Sequence, residues 1–90
     1  MMTAVFVNSP FDKEVRIDCK EFKAKSSKYG EIVILPKHRN NIFTISEGSN
    51  VELKAVDNTI VVVDIKKQAV VRIDSDKIFI FGEYKIADDR

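Results

Sequence analysis

One cysteine, one histidine and three glycines are all that this chain of 90 residues holds of the residue types on which small-protein chemistry most often rests. The lone Cys19 cannot form an internal disulfide, so nothing points to an oxidising compartment. It lies on the apolar side of an alternating stretch and reads as a buried, inert thiol. Zinc sites and catalytic triads need histidine in company; one cysteine with the single His38 is not a ligand set. Gly30, Gly48 and Gly82 stand apart, and none belongs to a phosphate-cradling loop. Asp74 and Asp76 flank Ser75 in a turn, where they offer too few oxygen ligands for a metal loop. A surplus of either charge is missing too. Fifteen basic and fourteen acidic residues leave a net charge of +1, which argues against a nucleic-acid binder or an acidic tail. The short clusters Lys37–Arg39 and Lys66–Lys67 read as solvated charge. No apolar run approaches a membrane span, so direct membrane insertion is not expected. The opening MMTAVFVNSP does not fit a signal peptide. The expectation is a chain with no catalytic, cofactor or metal residues.

What is present is a series of short β-prone runs. TAVFVNS ends at Pro10. EVRIDC alternates, with Val15, Ile17 and Cys19 on one side and Arg16 and Asp18 on the other. EFKAK places Phe22 and Ala24 inward, and VELKAV does the same with Val51, Leu53 and Ala55. Turn signals recur about every 8–12 residues, the spacing of a β-sandwich or barrel. DKEVRIDCKEFKAK carries the charge of a helix, but its apolar residues fall at alternate positions. The predicted core includes Phe22, Val51, Leu53 and Ile73.

Three runs break the alternation: Ile32–Leu35, Ile60–Val63 and Ile78–Phe81 are apolar at every position or nearly so. Successive side chains on a strand point to opposite faces, and a two-layer sandwich buries only one face of each sheet. Three such runs in so small a domain predict a sheet face that docks on another protein. Val61 or Val63 is the expected outward member of the second run.

YGEIVILPKHRNNIFTISEGS, residues 29–49, resembles the central signature of the F-type ATP synthase epsilon subunit family. Gly30, Glu31, Ile34, Leu35, Pro36 and His38 match its Gly-Glu-apolar-Gly-Ile-Leu-Pro-x-His stretch, and Thr44 and Gly48 fall where a Thr-rich strand and a turn follow. VVDIKKQAVVRIDSDKIFIF is similar to the family's next segment, and VFVNSP fits its start. The departures are Val33 for a glycine, the Asn40–Asn41 region for a proline, Gln68–Ala69 for Gly-Gly, and Arg72 for a glutamate. They fall at loops and partner-facing positions and suggest a divergent member adapted to an equally divergent partner.

The resemblance implies an all-β, ten-stranded, two-sheet β-sandwich over residues 1–83, with residues 84–90 as a short polar tail. It implies a non-catalytic central-stalk subunit, without cofactors, that couples ion-driven rotation to ATP synthesis. Its implied partners are the gamma subunit and the polar loops of the c-ring. Tyr29, Gly30 and Glu31 correspond to the c-ring side; Ser9, His38, Ile42, Phe43 and Thr44 correspond to the gamma side. Many members continue into two C-terminal helices, and this sequence, ending at Arg90, reads as a form without that helical domain. The implied location is peripheral, on the cytoplasmic face of a bacterial inner membrane or on a plastid thylakoid membrane. The alternative is a free-standing β-sandwich adaptor for some other protein.

Overall fold

A computed structural model describes residues 1–9, 13–37 and 39–87. Nine strands follow one another: β1 (Met2–Val7), β2 (Val15–Ser26), β3 (Gly30–Ile34), β4 (Asn41–Ile45), β5 (Asn50–Ala55), β6 (Ile60–Ile65), β7 (Ala69–Asp74), β8 (Lys77–Phe81) and β9 (Tyr84–Ile86). There is no helix among the described residues. The all-β sandwich expected from the sequence is therefore present, with nine strands among the described residues where ten were expected.

Strand pairing gives two layers joined through one long strand. β4, β7, β8, β1 and the first half of β2 form one layer. β3, the second half of β2, β5, β6 and β9 form the other. One pairing is parallel: β1 runs alongside β8, from Thr3 beside Lys77 to Val7 beside Phe81.

β2 passes from layer to layer through a bulge. Cys19 lies opposite Ala55, but Glu21 lies opposite Lys54, so two steps on β2 meet one on β5. The extra residue reverses the alternation. That is why Cys19 and Phe22, three residues apart, are both fully buried in one core. All four predicted core residues, Phe22, Val51, Leu53 and Ile73, lie in that cluster.

The three doubly apolar runs resolve by register. Ile32 and Ile34 face the core while Val33 and Leu35 are exposed. Ile78 and Ile80 are fully buried while Phe79 and Phe81 point outward. In β6 the expectation was inverted: Val63 is fully buried and Val61 packs on the core, so Ile60 and Val62 are the outward pair. The register explains it, because Val61 and Val63 lie opposite Leu53 and Val51, both inward.

The polar tail expected from residue 84 also requires correction. Tyr84–Ile86 form β9, which pairs with Asp64 and its neighbours on β6. The Tyr84 ring packs on Phe6, with centroids 5.2 Å apart.

Candidate docking faces

The outer faces of the two layers differ in kind. On the β3–β2–β5–β6 layer, register places Val33 beside Lys23, Lys23 beside Glu52, and Glu52 beside Val62. Glu31 and Lys25 form a second outward pair, and Glu21 and Lys54 a third. Charge pairs fill the middle of this face, and exposed Val33 and half-buried Val62 lie at its sides.

The β4–β7–β8–β1 layer is different. One outward row runs Val7, Phe81, Val70 and Thr44 across four strands. The next runs Val5, Phe79, Arg72 and Ile42. The rings of Phe79 and Phe81 stack, 6.1 Å between centroids and 11° from parallel. Exposure rises across this face. Val5 is fully covered, Val70 and Phe81 are 40% and 43% exposed, and Ile42 is 63% exposed. An open groove borders Ile42, with Asn41, Arg72 and Asp74 along its sides. Apolar side chains contiguous across several strands and open to solvent are the mark of a surface meant to be covered.

The β2–β3 turn is built locally. The Ser26 hydroxyl is buried and accepts hydrogen bonds from the amides of Lys28 and Tyr29, at 3.2 and 3.1 Å. Such serine-capped turns fix a loop without tertiary help. Gly30 closes the turn at φ 76°, a conformation glycine adopts without steric cost. Tyr29 is thereby left exposed, with the Lys28 ammonium 5.5 Å from its ring centroid. Glu31 follows on the outer face, 3.4 Å from the Lys23 ammonium. Both partners are open to solvent, and pairs of this kind contribute about 0–1 kcal/mol, so Glu31 can exchange Lys23 for another cation at little loss.

The sequence-predicted residues fall as follows. Tyr29, Gly30 and Glu31 lie together at the β2–β3 turn. Ile42 and Thr44 lie on the outer side of β4, and half-buried Ser9 follows β1 at the Val7–Phe81–Val70–Thr44 end of the same layer. Phe43 is only 5% exposed and belongs to the core, so its side chain is no surface contact as the chain stands. The cause is alternation: with Ile42 and Thr44 outward, Phe43 must point in. His38 lies outside the described residues. Hydrogen bonds join the two candidate sets. The Ser27 amide donates to the Thr44 carbonyl at 2.9 Å, and the Ser27 and Ser46 hydroxyls are 2.7 Å apart. The turn and the end of β4 share one rim, although Glu31 and Ile42 point from opposite layers. The outward residues Val70, Arg72, Phe79 and Phe81 were not among the predicted contacts; the unbroken Ile78–Phe81 run was the signal for two of them.

Chemically the described residues offer little else. No group of three His, Cys, Asp or Glu among them is placed to hold a metal ion. Burial, aided by Asp18, raises the Cys19 thiol from 9.0 to about 11, which keeps it protonated and unreactive at neutral pH.

No family model matches this chain, and no curated protein matches it by sequence. Among solved structures, it superposes on a chain of the Euglena gracilis mitochondrial ATP synthase, from a structure of OSCP, F1 and the c-ring, with a TM-score of 0.76 at 11% identity. The match covers 94% of this chain and 52% of that one, so this chain spans about half the length of its structural neighbour. At that identity the likeness establishes a shared fold.

Proposed function

We propose that this chain is a non-catalytic central-stalk subunit of an F-type ATP synthase, of the epsilon kind, that docks on the gamma subunit and meets the c-ring. The observation that carries the reading is the asymmetry of the outer faces: one sets three charge pairs among its apolar side chains, and the other presents Phe79, Phe81, Val70 and Ile42 around the single Arg72. The sandwich core needs no further cover, so that second face calls for a partner. The fold shared with a chain of an ATP synthase assembly, and the residue 29–49 signature, support gamma as the partner. On this reading Ile42, Thr44 and Ser9 belong to the gamma side, and His38 follows from the signature alone. The Tyr29–Gly30–Glu31 turn presents a ring and a carboxylate to the polar loops of the c-ring. The subunit makes no covalent bond; it passes rotation between ring and stalk, peripheral to the membrane, at the cytoplasmic face of a bacterial inner membrane or at a thylakoid.

Co-expression with the gamma subunit of the same source tests this. The chain should co-purify with gamma in equal amounts, and Phe81→Glu should remove it while leaving the β-sheet circular dichroism unchanged. The cause is a carboxylate forced unpaired into an apolar contact. Glu31→Ala should keep gamma and lower ATP-driven proton pumping in the reconstituted complex. Failure of the unaltered chain to bind gamma overturns the proposal. Equal loss of gamma binding in both variants overturns the division between the two sites.

A further inference from the structure

We infer that Arg72 sets the specificity of the apolar face and that the partner surface it meets carries a carboxylate among apolar side chains. The inference rests on the gamma-docking reading and adds to it the chemistry of the contact. Arg72 is the cation that sits between apolar side chains on that face; Lys77, also outward, lies one row further along, between Thr3 and Asp74. The cross-strand neighbours of Arg72 are Phe79 and Ile42, and Val70 and Asp74 flank it along β7. A partner that covers Phe79, Ile42 and Val70 also reaches the Arg72 position they border. A guanidinium withdrawn from water needs hydrogen-bond acceptors for its five N–H groups.

The chain itself supplies too few. The contact Arg72 makes among the described residues is Nη2 to Asp74 Oδ2 at 3.4 Å, near the limit of a hydrogen bond. Arg16, on the far side of Val5, shows what a satisfied guanidinium looks like here. Its Nε and Nη2 both reach Glu14 Oε1, at 2.7 and 2.6 Å. Arg16 therefore holds its counter-ion through two short contacts, whereas Arg72 holds Asp74 through one long contact and has most of its fork left for a partner. A partner carboxylate can accept two parallel N–H bonds from that fork, the geometry in which Arg exceeds Lys. A partner with a cation or only apolar groups at that point would leave Arg72 buried and unmatched. That is rejection as well as selection.

The experiment measures binding of the full chain and its variants to purified gamma of the same source, at low and moderate salt, with circular dichroism to verify each fold. Arg72→Glu should weaken binding by about 30-fold or more, the range expected when one member of a covered charge pair is lost. Arg72→Lys should restore part of it. Lys54→Glu, on the charged layer, should bind as the unaltered chain does. Among Asp→Lys and Glu→Lys variants of gamma, one should recover binding to Arg72→Glu. Binding by the unaltered chain with no loss in Arg72→Glu overturns the inference and leaves the docking reading standing. Loss in Arg72→Glu that no gamma reversal recovers overturns the carboxylate. Absence of gamma binding by the unaltered chain, or its self-association through this face in sedimentation, overturns inference and docking reading together.

Discussion

Replacing Gly82 with alanine tests how the chain passes from one layer to the other. Gly82 follows Phe81 of β8 and precedes β9, which pairs in the opposite layer. Its amide donates to the Val7 carbonyl at 3.0 Å, so its backbone is fixed at the crossing. A Cβ placed there would stand 2.8 Å from Ala69 Cβ and 3.1 Å from Ala69 Cα. Ala69 is fully buried where β7 begins, opposite Ile45, and has little room to retreat. Overpacking of this kind costs about 1–3 kcal/mol. In a domain this size each kcal/mol lowers Tm by about 4–8 °C, so Gly82→Ala should melt about 10 °C below the parent. Ala69→Gly alone should also destabilise, by about 0.8 kcal/mol for the lost methyl and about 0.5–1 kcal/mol for glycine in a strand. Together, however, the two should cost less than their sum, because the second change removes the atom the first collides with. The expected coupling is about 1 kcal/mol, measured by urea denaturation of all four proteins. Coupling below about 0.5 kcal/mol, the scatter of independent sites, would refute the contact as the cause.

Leu53→Ala, at a fully buried core position, should cost about 2–5 kcal/mol, a large part of a small domain's total; an unchanged urea midpoint would remove Leu53 from the core. Val63→Lys should prevent folding, whereas Val62→Lys, one residue earlier and opposite Glu52, should be tolerated; comparing their soluble yield and circular dichroism checks the register of β6. Cys19 should resist iodoacetamide in the folded protein at pH 8 and react once urea unfolds it. Because the fold holds its proton to about pH 11 against 9.0 for the ordinary thiol, its contribution to stability is intact below pH 9 and falls as pH rises toward 11; Cys19→Ala should flatten that part of the stability profile.

Alternation made most of the core legible before any coordinates. Phe22, Val51, Leu53 and Ile73 were read correctly because each sits between polar neighbours, and period two leaves no choice. Where that contrast vanishes, reading stops. In Ile60–Val63 all four residues are apolar, so the facing is decided across the ladder by Val51 and Leu53, which sequence order does not reveal. The β2 bulge has the same character: it keeps Cys19 and Phe22 inward by adding a residue against β5, a relation between distant segments. β9 was missed because three residues with a charged centre look like a tail until Asp64 and its neighbours are seen beside them. Of the candidate site, an outward apolar pair was legible in the Ile78–Phe81 run, and Ile42 was named through the residue 29–49 resemblance. Val70 and Arg72 were not, since they join these residues only by pairing.

The parallel alignment of Thr3–Val7 with Lys77–Phe81 has a kinetic meaning. β8 sits between β1 and β7, so β1 waits on one edge for a strand made long after it. The β2–β3 and β5–β6 hairpins can form as they emerge, each closed by a short turn. The layer that carries Phe79 and Phe81 cannot be completed until β8 is made, and the separation of its partners along the chain predicts refolding on the millisecond-to-second scale of sheet proteins. Until residue 77 has been made, β1 presents one edge of unpaired amides and carbonyls, the kind of edge on which a second chain can pair.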